Sequence, residues 1–130
     1  QANAALAERF SPRLVREASE IFSELTGGRY ARVQISRQME LEAGQPDAAM
    51  RRSLFLSGGT ADELYLSVRL AVCRLLLPED APLLLDDALV MFDDDRLRLA
   101  LRLLQREAAN RQILLFTCQH REQKALTTDL

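Results

Sequence analysis

The hydrophobic positions change period several times along the chain, and each change marks an element. Leu14, Ala18, Ile21 and Leu25 recur at spacings of four, three and four, the apolar stripe of an amphipathic helix. Before them residues 1–10 are alanine-rich and helix-prone, and Ser11-Pro12 reads as a helix restart, serine as N-cap and proline at the first helical position. Gly27-Gly28 supplies the stop. From Tyr30 the period shortens. Tyr30, Val33 and Ile35, then Met39, Leu41 and Ala43, predict two antiparallel strands ending at Gly44-Gln45-Pro46-Asp47, with a third near Ser53 to Leu56. Helical spacing returns at Leu64, Val68, Ala71, Val72 and Leu75, closed by Pro78.

Two later runs lack alternation altogether. "PLLLDD" (82–87) and "QILLFT" (112–117) are apolar until their last residues, as expected of strands buried on both faces of an α/β sheet. Between them Asp93-Asp94-Asp95 caps a helix with Leu97, Leu101, Leu104 and Ala108 inward and Arg98, Arg102 and Arg106 outward. Strand, helix and strand, with loops at the strand C-termini, is the geometry in which α/β proteins build ligand sites. The pattern predicts a single α/β unit without internal repeats.

Composition narrows the chemistry. The 130 residues are 48% hydrophobic and 28% charged, enough for one domain with a modest core, and the net charge of −2 provides no global basic field for nucleic acid. Lys124 is the only lysine among 17 basic residues and has no glycine near it, so the chain holds no Gly-x-x-x-x-Gly-Lys phosphate loop. Cys73 falls in a helical pattern and Cys118 follows a strand, so both are expected as free thiols, in keeping with a reducing, cytoplasmic setting. One histidine and no Cys-x-x-Cys argue against a zinc site, and no stretch reaches transmembrane length. Gln1 in place of an initiator methionine leads to the expectation of a domain excised from a longer chain.

"LSGGTADELYLSVRLA" (56–71) carries the first sign of a site. Thr60-Ala61-Asp62-Glu63 reads as a capping box, which would leave Ser57, Gly58 and Gly59 surplus to the cap. Glycines before a helix N-terminus let bare N–H groups approach an anion, and the helix dipole favours negative charge there. The second sign is Asp86-Asp87 at the end of an apolar strand, a rigid mount for carboxylates that hold Mg²⁺ or orient water in phosphate chemistry. Taken singly, each signal also fits an ordinary turn or a solvated strand end, and His120 alone fits a polar loop.

Their order is more specific. "LTGGRY" (25–30), "LSGGTADELYLSVRLA" (56–71), "PLLLDDALVMFDDDRL" (82–97) and "QILLFTCQH" (112–120) follow one another as in the C-terminal half of an ABC-type ATPase head. Across most of residues 11–122 the chain resembles the SMC-like bacterial ATPases of the YhaN kind, relatives of SbcC, RecN and the SMC proteins. The resemblance implies the C-terminal half of a P-loop NTPase head, a mixed sheet with flanking helices. Residues 1–26 would form the root of a coiled-coil arm and residues 27–130 the lobe. It implies that Ser57, Gly58 and Gly59 are the signature motif that meets the γ-phosphate of ATP on an opposing head. Asp86 would be the Walker B carboxylate supporting Mg²⁺, and Asp87 would stand in the place of the catalytic glutamate. Asp93 would be the D-loop aspartate at the dimer interface, and His120 the switch histidine.

Three positions depart from the family pattern. Thr60 stands where transporters have glutamine and SMC proteins glutamate, although the YhaN kind favours threonine. Asp87 is one methylene shorter than glutamate. Cys118 and Gln119 separate His120 from the strand's final Thr117, where the switch histidine usually follows directly. The Walker A and Q-loop would belong to an N-terminal lobe, the first implied partner. A second head in an ATP-sandwiched homodimer, DNA and a partner nuclease complete the set, with no membrane. Two other functions fit the same residues: a non-catalytic interaction domain with this fold, and a receiver-type Mg²⁺-dependent phosphotransfer domain built on Asp86, Asp87 and Thr117.

Overall fold

The computed structural model describes residues 2–35, 41–46, 50–52 and 56–128. The chain opens with a long helix, α1 (Ala2–Leu25), which runs unbroken through Pro12. The restart expected at Ser11-Pro12 does not occur. A proline inside a helix removes one intrahelical bond, and the helix-forming residues on either side carry the path past it. The stripe that follows behaves as expected: Ala18, Ile21 and Leu25 are buried with Phe22, and Leu14 packs partly against the same core. The stop lies at Gly27 and Gly28, whose φ values of +62° and +85° favour glycine. The Gly28 N–H donates to Ser23 O at 2.8 Å and the Gly27 N–H to Glu24 O at 3.2 Å, the paired bonds of a Schellman motif.

That reversal delivers the chain into β1 (Arg32–Ile35), which pairs antiparallel with β2 (Leu41–Gly44), which pairs in turn with β3 (Arg51–Arg52). The third strand lies earlier than the hydrophobic run at Ser53 to Leu56 suggested; residues 53–55 and Met39 fall outside the described residues. This small sheet is tied back to α1, because Ser19 Oγ accepts from the Val33 N–H at 2.9 Å. Phe22 and Tyr30 close the corner with ring centroids 5.3 Å apart.

After α2 (Gly58–Leu76) comes a β4–α3–β5 unit formed by Leu83–Asp86, Asp94–Glu107 and Ile113–Phe116, followed by α4 (His120–Thr128). β4 and β5 are parallel, with Leu83 opposite Ile113 and Asp86 opposite Phe116. The α/β class is as expected, although the described strands form two separate sheets. In α3 Leu97, Leu101 and Leu104 point inward, whereas Ala108 is the exposed C-cap. The buried face of α2 is broader than its five-residue stripe. Leu66, Ser67, Leu70 and Cys73 are buried beside Leu64 and Ala71, while Val68, Val72 and Leu75 are half-buried. The reason is that α2 packs against α1 on one side and leans on β4 on the other, where Arg69 Nη2 donates to Leu84 O at 2.6 Å. Arg74 locks three helices together by reaching Glu17 of α1 and Glu107 of α3. Both cysteines are free, Cys73 buried and Cys118 exposed. No described helix is long and apolar enough to cross a membrane.

The second sheet departs from expectation in a way that matters. Leu83 and Leu85 are buried, but Leu84, Leu114 and Phe116 on the other face are 50%, 39% and 55% exposed. An apolar run without alternation should be covered on both sides; among the described residues it is covered on one. Contiguous apolar surface of this kind commonly marks a site of protein contact. Light scattering across a concentration series should therefore show self-association of the isolated chain, and Phe116→Glu should shift it toward monomer. A strictly monomeric parent at high concentration would mean that this face needs no cover.

Candidate functional site

The Ser57 turn is built differently from the capping box. Helix α2 starts at Gly58, and Ser57 is its N-cap, with Oγ accepting from the Thr60 N–H at 3.2 Å. The reading of Thr60 as cap, with Ser57, Gly58 and Gly59 left over, is corrected: the serine does the capping and both glycines belong to the first helical turn. The Thr60 side chain is free for another task. Its Oγ1 lies 2.8 Å from Ser57 Oγ and accepts from Arg96 Nη2 at 3.0 Å. Glu63 does not reach back to the cap either. It is wholly buried, and its Oε1 lies 2.9 Å from Arg96 Nε.

The glycines have distinct roles. A Cβ on Gly58 would meet only the terminal Cε of Met91, at 3.0 Å. A Cβ on Gly59 would lie 2.7 Å from Arg96 Nη1 and 3.0 Å from the Met91 carbonyl oxygen. Gly59 is thus the point at which the backbone of residues 88–93 presses against α2. That loop ends at Asp93, the N-cap of α3 as expected, whose Oδ1 accepts from the Arg96 N–H at 2.8 Å. Ser57 and Asp93, far apart in sequence, are thus linked through Thr60 and Arg96, with Gly59 buried between them.

Asp86 ends β4 with its side chain exposed, and Asp87 follows in the left-handed region at φ +49°. Aspartate is among the few residues that tolerate this conformation, which turns the chain sharply off the strand. The Asp87 N–H donates to Phe116 O at 2.8 Å, and its Oδ1 accepts from the Cys118 N–H at 3.4 Å. Asp86 and Asp87 border a pocket of about 210 Å³ shared with Asp62, Tyr65 and Arg69 of α2. Burial raises the Asp62 carboxyl above its ordinary range. An exposed carboxylate on a rigid strand end, with room for water beside it, suits Mg²⁺, which keeps much of its hydration shell.

His120 is placed less favourably. It begins α4 and is exposed, and among the described residues its side chain makes no hydrogen bond or ion pair. The loop before it touches Asp87 through Cys118. The residue after it, Arg121, holds the 88–93 loop by donating from Nη2 to Leu89 O at 3.0 Å and Val90 O at 3.3 Å. A receiver-type site would need a lysine at a strand end, and Lys124 lies within α4.

Sequence reasoning passed over Arg96 and Arg121 and gave Glu63 a capping role it does not have. One signal was available. Glu63 precedes Ser67 and Leu70 by four and seven positions, on the face of α2 that is buried, and a carboxylate there demands a cation from another element. Burial pushes Glu63 up to about 7, with Asp93 adding to the rise while Arg96 and Arg29 oppose it. Neither Glu63 oxygen accepts a well-aligned hydrogen bond among the described residues, and the Arg96 guanidinium 2.9 Å away is the cation that favours its ionised form.

Comparison with known proteins places the fold. No family model matches the chain. A structure from work on ATP-driven dimerization and DNA-stimulated activation of SMC ATPases superposes with a TM-score of 0.75 at 20% identity, covering 95% of this chain and 76% of that one. The SMC head of Pyrococcus furiosus, with an extended coiled coil and bound to the C-terminal domain of ScpA, gives 0.73 at 18% identity, over 95% of this chain and 32% of that one. The SMC head domain of Thermotoga maritima gives 0.68 at 18%, over 95% of this chain and 44% of that one. The fold is that of the SMC-type ATPase head, a P-loop NTPase fold. In sequence the chain is a relative of YhaN from Bacillus subtilis (strain 168), an uncharacterized protein to which it is 36% identical over 110 residues. The match takes in 82% of this chain but only 11% of the length of YhaN.

Two expected outcomes follow from the buried geometry. Gly59→Ala should cost about 1–3 kcal/mol in urea unfolding, because the Met91 carbonyl cannot move aside as a side chain can. Gly58→Ala should stay within about 0.5 kcal/mol of the parent; equal effects would mean that the close approach at Gly59 is absent. The second outcome concerns pH. Glu63 holds its proton up to about pH 7 when folded but loses it near 4.5 when unfolded, so stability falls as pH rises between those values and levels off above them. Glu63→Gln lacks that loss and should gain on the parent by up to about 3 kcal/mol between pH 4.5 and pH 8. A stability gap between the two that does not change with pH would show that Glu63 titrates normally.

Proposed function

We propose that this chain is the C-terminal lobe of an SMC-type ATPase head that works with an N-terminal Walker A lobe and a second, identical head. The observation that carries the reading is the junction of the Ser57 turn with the Asp93 turn, one element away from the strand-terminal pair Asp86-Asp87, in a fold shared with SMC heads. In this reading Ser57, Gly58 and Gly59 form an anion clamp at the mouth of α2, where the Ser57 hydroxyl and the first-turn N–H groups meet the γ-phosphate of ATP on the opposing head. Asp93 lies at the same rim and contributes to the head–head contact.

Asp86 would hold Mg²⁺, which neutralises developing phosphate charge when bound. Asp87 orients the attacking water and accepts its proton, and His120, reached through the 117–120 loop, senses the γ-phosphate. The uncovered face of β4 and β5 is where the N-terminal lobe would complete the sheet, and α1 would continue from a coiled-coil arm, with residues 27–130 forming the lobe proper. The SMC relatives are described as ATP-driven in dimerization and DNA-stimulated. By extension, the parent protein would act in ATP-dependent DNA repair or chromosome maintenance, with DNA and a nuclease among its partners.

Two substitutions in the complete head test the division of labour. Asp87→Asn keeps size and hydrogen bonding but removes the charge, so ATP binding and dimerisation should survive while turnover drops about 10²–10⁴-fold. Persistence of full turnover would favour a non-catalytic role for this lobe. Ser57→Asp keeps a good N-cap, and with it the stability of α2, but sets a negative charge where phosphate must approach. ATP-dependent dimerisation, read by size-exclusion chromatography, should be lost while a single head still binds nucleotide. Normal dimerisation would reduce the Ser-Gly-Gly segment to a helix start and nothing more.

A further inference from the structure

Arg96 is the residue through which the two turns of the site touch. Its side chain is 19% exposed and faces three acceptors on two elements. Nε lies 2.9 Å from Glu63 Oε1, Nη2 donates to Thr60 Oγ1 at 3.0 Å, and Nη1 donates to Asp93 Oδ2 at 3.4 Å. Thr60 is bonded in turn to Ser57 through both its N–H and its hydroxyl. A continuous polar path therefore runs from the cap of α2 to the cap of α3. Only a planar guanidinium, with donors fixed in a fork, can serve three acceptors in these directions; an ammonium is a single point of charge on a flexible stem. Gly59 fits the same design, since any Cβ there would collide with Nη1. The buried Glu63 carboxylate anchors the Nε edge, which leaves the two Nη groups to span the gap between turns.

We propose that Arg96 is a positioning residue that holds the Ser57–Thr60 turn and the Asp93 turn in fixed register, so that a displacement of one is carried to the other. It acts through Thr60 and Asp93 and does not itself meet nucleotide. Its functional meaning rests on the head reading given above, in which both turns form one rim presented to the opposing head.

The coupling can be read in this chain alone, by amide exchange in Thr60→Val and Asp93→Asn variants. Asp93→Asn should speed exchange at the Thr60 N–H, and Thr60→Val at the Arg96 N–H, each about three- to tenfold, the size of coupling found between residues in contact. In Arg96→Lys both cross-effects should vanish while the local effects remain. A shortened cation fits Glu63 poorly, so the comparison is repeated in Arg96→Lys/Glu63→Gln, which strands no carboxylate and should show the same loss. Glu63→Gln alone should keep the cross-effects, whereas an ion pair that served only to hold the core together would lose them there as well. Cross-effects that persist in both lysine variants overturn the proposal, as does their absence from the parent.

In the complete head, Arg96→Lys should lower kcat for ATP hydrolysis about tenfold with the KM for ATP unchanged, since the rim and not the nucleotide pocket is altered. An unchanged kcat in a head that does dimerise with ATP also counts against the positioning role. If the parent head shows no ATP-dependent dimerisation while the exchange cross-effects stand, the head reading fails and the register role of Arg96 survives it.

Discussion

A carboxylate at Glu63 has no route to water, and this end of the molecule is organised around the guanidinium that faces it. Burying a lone charge costs several kcal/mol, so the fold must bring a cation to α2 or leave the group protonated. Arg96 brings one from the first turn of α3. Once that guanidinium is fixed, Thr60 becomes its acceptor and cannot cap α2, so the cap passes to Ser57. Position 59 must then be glycine, because Nη1 and the Met91 carbonyl fill the space of a side chain. The conformation of the Ser-Gly-Gly turn follows from an ion pair nearly a full helical turn deeper in the protein.

This dependence explains what could and could not be read from the residues in order. The stop at Gly27-Gly28, the Asp93 cap and the inward Leu97, Leu101 and Leu104 were legible, because each depends on neighbours within a few positions. The strand–helix–strand unit was legible for the same reason. The capping box was not. Thr60 and Glu63 have the right spacing, but both are engaged by a residue more than thirty positions later, and a tertiary contact overrides a local preference. Pro12 misled in the same way: a residue that commonly opens a helix sits here inside one. The SMC-type fold was legible through the order of the segments along the chain, whereas Arg121 and Arg96, which hold the loops together, carry no local pattern at all.

Gly58 and Gly59 have two explanations of different strength. Anion binding needs bare backbone at a helix mouth, and of the two only Gly58 is exposed. Packing needs glycine only at position 59. Gly58 is therefore the more informative of the two, since its neighbour is a flexible methionine methyl that would yield to a methyl group. The uncovered face of β4 and β5 is informative in the same manner. Leu84, Leu114 and Phe116 carry no charge and remain 39–55% exposed, a patch whose chemistry suits a covering surface.

The shorter acid at Asp87 has a consequence of its own. Its left-handed backbone swings the carboxylate off the line of β4 and toward the loop that follows β5, where Oδ1 meets the Cys118 N–H. A glutamate would reach one methylene further and could act without that loop. An aspartate held by it cannot move independently: its orientation depends on where residues 117–120 lie, and Arg121 ties that loop to the carbonyls of Leu89 and Val90. The carboxylate, the histidine loop and the Asp93 turn are thereby joined into one mechanical unit. The two residues that separate His120 from Thr117 include Cys118, whose N–H meets Asp87 Oδ1, and Gln119, which accepts from Arg121 Nε at 2.7 Å.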